Sequence, residues 1–153
     1  MTRGTAFLTL LSIGLFGTAA YAEPIRIDAT TKHLDTSIVL PVGDSVVVHA
    51  MAESQGFEGT MPDDPLTGLK GPCFGSILAG TGGDGLCHLT GPDGDIMIVQ
   101  WLASPKIERQ GTWRVFGGTG RWDRAIGGGI FAETPTETAG EVSLHVLGDV
   151  VFN

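Results

Sequence analysis

The chain has 153 residues, 17 of them acidic and 9 basic, for a net charge of −8. That length fits one compact core. With no cluster of Lys or Arg to offset the acidic balance, the electrostatic footprint of a nucleic-acid-binding protein is missing.

The first element is a leader. Arg3 precedes an apolar stretch from Ala6 to Phe16, and Ala20-Tyr21-Ala22 offers an A-x-A cleavage site before Glu23-Pro24, the anatomy of a secretory signal peptide. The apolar stretch is too short to span a membrane, which takes about 20 residues, and nothing later in the chain could span one. No cysteine adjoins the cleavage site, so a lipid anchor is not indicated. The expectation is a secreted or periplasmic protein with residues 1–22 as signal peptide and 23–153 as a single domain. That domain keeps 8 basic residues against the 17 acidic ones, a net charge of −9.

The remainder lacks helical period. Short runs rich in Val, Ile, Thr and aromatics alternate with Gly, Pro and Asp clusters, which predicts an all-β chain. The predicted strands are 25–34, 45–52, 74–79, 86–90, 96–102, 112–116, 129–133 and 141–152, with a weaker one around 57–61. Such strands bury their apolar faces in a closed barrel or a β-sandwich, and periodicity alone does not choose between them. No internal repeat is present, which excludes propellers and solenoids.

Two turns follow from local chemistry. In "GPDGD", Pro92, Asp93 and Gly94 suit successive positions of a tight turn, making 86–90 and 96–102 a hairpin. In "AGTGGDG", a looser turn centred on Gly80 would set Cys73 and Cys87 opposite each other, within reach of a disulfide. Export favours that bridge over free thiols.

Candidate ligand contacts come from strand alternation. In "SVVVHAMAES", His49 shares a face with Val47 and Met51, and Glu53 continues it. If that face lines an interior, His49 becomes an acid, base or hydrogen-bond partner, and an apolar wall would raise the Glu53 carboxyl. In "DIMIVQWLA", Trp101 lies on one face with Met97 and Val99, and Gln100 on the other. In "SLHVLGDVVF", His145 opposes Leu144 and Val146. Packing or solvation is the simpler role for each. His33, His49, His88 and His145 have no paired spacing for zinc, "DGD" lacks the other ligands of a calcium loop, and no nucleophile elbow is present. No metal or cofactor is expected. Arg109, Arg114, Arg121 and Arg124 could receive an anion, although pairing with Glu108 and Asp123 is simpler.

The stretch "FGGTGRWDRAIGGGIF", residues 116–131, fails as a phosphate loop: Asp123 occupies the third position of the dinucleotide fingerprint, and Gly127-Gly128-Gly129 opposes the helix that must follow. Glycine here gives backbone freedom at a corner between strands. Gly117, Gly118, Thr119, Gly120, Arg121 and Trp122, entered from Val115-Phe116, resemble the signature hairpin of the allene oxide cyclase and dirigent superfamily, with a departure at Asp123-Arg124. The resemblance covers about a tenth of the chain. It implies a calycin-like antiparallel barrel of about eight strands, of a kind that assembles as dimers or trimers, and it implies exported bacterial relatives. The family's catalytic residues lie outside the matched stretch and cannot be placed on this chain.

Two functions fit these readings. One is an exported barrel that binds a small apolar ligand or a protein partner. The other is a cofactor-free cyclase, isomerase or dirigent-like enzyme that folds a small apolar intermediate inside the barrel. The sequence leaves open whether the protein is an enzyme.

Overall fold

The computed structural model describes residues 22–153, so the leader expected over 1–22 lies, but for Ala22, outside the described residues. Among them, ten strands run in chain order: β1 Ile25–Asp35, β2 Ile38–Val42, β3 Ser45–Ser54, β4 Glu58–Gly59, β5 Gly71–Leu78, β6 Gly82–Thr90, β7 Ile96–Ala103, β8 Gln110–Gly118, β9 Ile126–Pro135 and β10 Glu141–Val151. A single 3-10 turn, Gly120–Trp122, interrupts them.

Every strand pairing is antiparallel, and the order β3-β5-β6-β7-β8-β9-β10-β1 returns to β3, so eight strands close a barrel. The sandwich alternative is excluded. The closing seam is short: His33, Leu34 and Asp35 of β1 face Ser54, Glu53 and Ala52 of β3. Beyond it the chain continues along β3 as β2, which the sequence reading missed. Pro41 argues against a ladder strand, yet β2 is an edge, pairing with β3 alone. Such a position tolerates a residue without an N–H.

The two hairpins form as the turn chemistry requires. Leu78 faces Gly82 and Cys73 faces Cys87, centring the β5–β6 turn on Gly80 at φ +74°. The two sulfurs are bonded across the strands. In the β6–β7 turn, Gly94 takes φ +87° and the Asp93 carboxylate accepts the Asp95 N–H at 3.1 Å.

One end of the barrel is shut by two loops. The β3–β5 connection folds across it and buries Phe57, Leu66 and Leu69 in the core. Buried Asp64 pins that loop by accepting the N–H groups of Asp28, 2.8 Å away in β1, and of Leu66 at 2.9 Å. The glycine corner seals the rest. Thr119 Oγ1 accepts the Ile96 N–H at 2.9 Å, and the Asp95 carboxylate accepts the Arg121 N–H at 2.9 Å. Trp122 is fully buried, edge-on to Phe152 with ring centroids 5.1 Å apart. The Arg121 guanidinium lies over Trp122 and donates to the Pro65 carbonyl at 2.6 Å, tying one loop to the other. Gly120 has φ +53°, and a Cβ there would collide with the Asp95 carboxylate. The corner is therefore a plug held by backbone and carboxylate contacts.

Removing the bridge should release chain entropy in the unfolded state. The Cys73→Ala/Cys87→Ala double variant is expected to lose about 3 kcal/mol, the value for a loop of about 15 residues, read as a lower urea midpoint at unchanged slope. An unchanged midpoint would mean that the sheet holds this hairpin by itself.

Candidate functional site

The other end of the barrel opens into a lumen. Inward-facing side chains fill the closed end with Ile27, Ala29, Leu89, Met97 and Val150. Above them lies a cavity of about 710 Å³, within the ordinary size of a small-molecule site. Its walls are mainly apolar: Val48 and Ala52 from β3, Ile77 from β5, Val99 from β7, and Leu144 and Val146 from β10. The Cys73–Cys87 bridge also lines it.

Three aromatic rings shape the cavity, and each lies against glycine carried by a strand one or two places along the sheet. A Cβ on Gly75 or Gly85 would run into the Trp101 indole, one on Gly148 would crowd Trp113, and one on Gly111 would meet the Phe131 ring. Trp113 is fixed further by its Nε1 donating to the Leu147 carbonyl at 3.1 Å. Glycine on the inner face of the sheet thus gives indoles and a phenyl room to lie against the wall.

Polar groups gather at the open end. His33 is 6% exposed and lines the cavity, and its Nε2 has no hydrogen-bond partner. Burial depresses the imidazole to about 4, partly opposed by the nearby Asp35 carboxylate, so His33 is uncharged at neutral pH. Burial also holds the Glu133 carboxyl above its ordinary value; Arg109 works against that shift, and Asp35 adds to it. The Arg109 guanidinium stands 3.9 Å from Glu133 and 3.9 Å from Glu108, too far for strong charge-assisted hydrogen bonds. Among the described residues Arg109 is the one non-glycine with positive φ, at 58°. Its carbonyl accepts the Glu133 N–H at 2.8 Å, which fastens the β7–β8 loop over the mouth.

Of the side chains nominated from the sequence, Trp101 reaches the lumen. His49 and Glu53 point outward, because the inner face of β3 carries Val48, Ala50, Ala52 and Ser54. His49 borders a shallow groove on the outer wall with Met51, Phe74 and Leu86. Gln100 is also outside, where its Oε1 accepts from Arg114 Nε at 2.7 Å. His145 lies on the outer wall 2.9 Å from Asp28, and this hydrogen bond holds the Asp28 carboxyl below its ordinary value. The four arginines are dispersed: Arg109 at the mouth, Arg114 on the wall, Arg121 in the plug and Arg124 3.9 Å from Asp123. They form no anion site.

The lumen residues that the sequence reading missed are His33, Asp35, Trp113, Phe131 and Glu133, and Arg109 was nominated there for an anion and not for the lumen. In β1 a signal was present: Arg26, Asp28 and Lys32 mark the even positions as the solvent face, which turns His33 inward. Arg109 and Glu133 gave none, since one sits in a loop and the other near a strand end.

No protein-family model and no curated protein sequence matches the chain. Among solved structures it is similar to the pterocarpan synthase dirigent protein PsPTS1, at 12% identity over 86% of this chain and 97% of that one, with a TM-score of 0.50. It is also similar to the pterocarpan synthase dirigent protein GePTS1, at 12% identity over 89% of this chain and 88% of that one, with a TM-score of 0.55. The chain has the dirigent-like barrel fold.

His33 makes stability depend on pH. Its folded value lies below the ordinary 6.5, so the unfolded chain takes up the proton first and stability falls as pH drops from about 6.5 towards 4. Glu133, raised by burial, acts in the opposite sense, its contribution being lost as pH rises. Between pH 7 and 4.5, His33→Gln is expected to lose about 2 kcal/mol less than the natural protein, measured by urea unfolding at both values. Parallel losses would show that His33 is not the buried neutral base described.

Proposed function

We propose that this dirigent-like barrel binds a small, largely apolar molecule in its lumen. The observation that carries the reading is the cavity of about 710 Å³: the interior is closed at one end and open at the other, and side chains leave its upper half empty. Rigid aromatic walls offer apolar contact, and a few polar groups at the mouth would fix orientation, the usual division of labour in a ligand pocket. We read residues 23–153 as one exported domain. The leader-like start supports this, as does a disulfide of the kind that persists in oxidising compartments.

A second reading is a cofactor-free enzyme. What favours it is the titratable pair on the lumen wall, His33 and Glu133, both shifted by burial, as acid and base groups often are.

The test is titration with Nile red, a neutral apolar fluorophore. Saturable binding of one molecule per barrel is expected. It should be lost in Val99→Trp, which puts an indole in the middle of the lumen, provided that the variant still unfolds cooperatively. No saturable binding, or binding indifferent to Val99→Trp, would refute a lumen site. Organic extraction of protein purified from its exporting host should then yield the natural occupant.

A further inference from the structure

The open end of the lumen has a charge pattern that the apolar walls do not explain. Three carboxylates, Asp35, Glu108 and Glu133, line the cavity against two cations, Lys106 and Arg109. Glu133 is the recessed one, with 30% of its side chain exposed, and its cationic neighbour is shared with Glu108 at 3.9 Å on each side. A carboxylate drawn into an apolar wall is costly unless paired, and Arg109 pairs it incompletely. One Asp35 oxygen accepts the Ser37 N–H at 2.8 Å, which leaves the other available.

His33 lines the same cavity and is more than nine-tenths buried. Uncharged at neutral pH, it sets no positive charge against a cation at this end of the lumen.

Resting on the lumen-binding reading, we propose that the barrel selects a ligand bearing a protonated amine on an apolar or aromatic body, with the ammonium at the Asp35, Glu133 and His33 end. The ammonium brings three donors and one positive charge, which supplies what Glu133 lacks. Trp101, Trp113 and Phe131 suit an aromatic body, and their ring faces attract cations. The overall charge of −8 draws a cation towards the protein and disfavours an anion. A metal cation is a poorer fit: among the described residues no three His, Cys, Asp or Glu side chains converge as ligands.

The experiment is competition against Nile red with three probes of one shape: 2-phenylethylamine, 2-phenylethanol and 3-phenylpropanoate. The amine is expected to bind about tenfold tighter than the alcohol, as one charge-assisted hydrogen bond allows, and the carboxylate weakest of all. Glu133→Gln and the rim variant Asp35→Asn should each weaken the amine several-fold more than they weaken the alcohol. Arg109→Gly, which removes the competing cation at a backbone position suited to glycine, should tighten the amine. Equal affinity for amine and alcohol, or preference for the carboxylate, overturns the charge assignment while the lumen site stands. Failure of Nile red itself would overturn the lumen site instead, so the two readings fail separately.

Discussion

The barrel exists because β1 is paired on both edges. Along one edge it meets β10 over ten residue pairs, and along the other it meets β3 over three. Without the second contact the strands would form an open curled sheet, whose interior would be a face exposed to water. The seam is short because β3 leaves β1 and continues along β2. It is reinforced by position: Thr31 Oγ1 and Ser54 Oγ meet at 3.2 Å in the buried interior beside it, and Thr36 extends the ladder by donating to the Met51 carbonyl at 2.8 Å. His33 belongs to this seam, so the group that titrates in the lumen is also part of what closes the lumen.

Closure alone would give an eight-stranded barrel just wide enough for its own side chains to fill. The distribution of glycine and aromatic residues is what leaves space here. At Gly75 and Gly85 the Trp101 ring lies on bare backbone, so a large side chain occupies the thickness that two Cβ-bearing residues would otherwise take. The same exchange recurs at Gly148 with Trp113 and at Gly111 with Phe131. Below this layer Ile27, Leu89, Met97 and Val150 fill the section completely, so the cavity has a floor. The glycine corner contributes the outer seal of that floor through Trp122 and Arg121, and it has no contact with a ligand to offer.

Much of this was legible in the sequence, and the reasons for the rest are physical. The all-β class, both hairpins and the cross-strand position of Cys73 and Cys87 follow from turn chemistry and local spacing. The lumen face of β3 did not, because Val47 and Val48 are alike to a period-two reading: with both faces apolar, His49 cannot be assigned a side. In β1 the charges at Arg26, Asp28 and Lys32 break that symmetry. The glycines of β9 conceal where the strand begins, since Gly127 to Gly129 resemble a loop by composition. In the sheet they are close approaches, where a Cβ would strike the backbone of β8 or β10. Asp64 was invisible for a different reason. One of its two acceptor bonds connects the loop to a strand 36 residues earlier in the chain, and no local pattern encodes such a contact.

The likeness to dirigent barrels at 12% identity fits the same division. What the likeness carries is geometry: antiparallel strands closed into a barrel, with a wall whose positions alternate inward and outward. None of these fixes which polar groups face inward, since a single position on each strand decides that, and substitution there leaves the ladder intact. The chemistry of this lumen therefore has to be read from its own residues. A neutral buried imidazole, a carboxyl raised by burial and an arginine at φ +58° standing 3.9 Å from two carboxylates are each unfavourable in isolation. A positively charged, hydrogen-bond-donating group at the mouth would relieve the buried carboxyl, whereas Arg109, itself a cation, competes with such a group for Glu133, so this end of the lumen is poised between two alternative counterions.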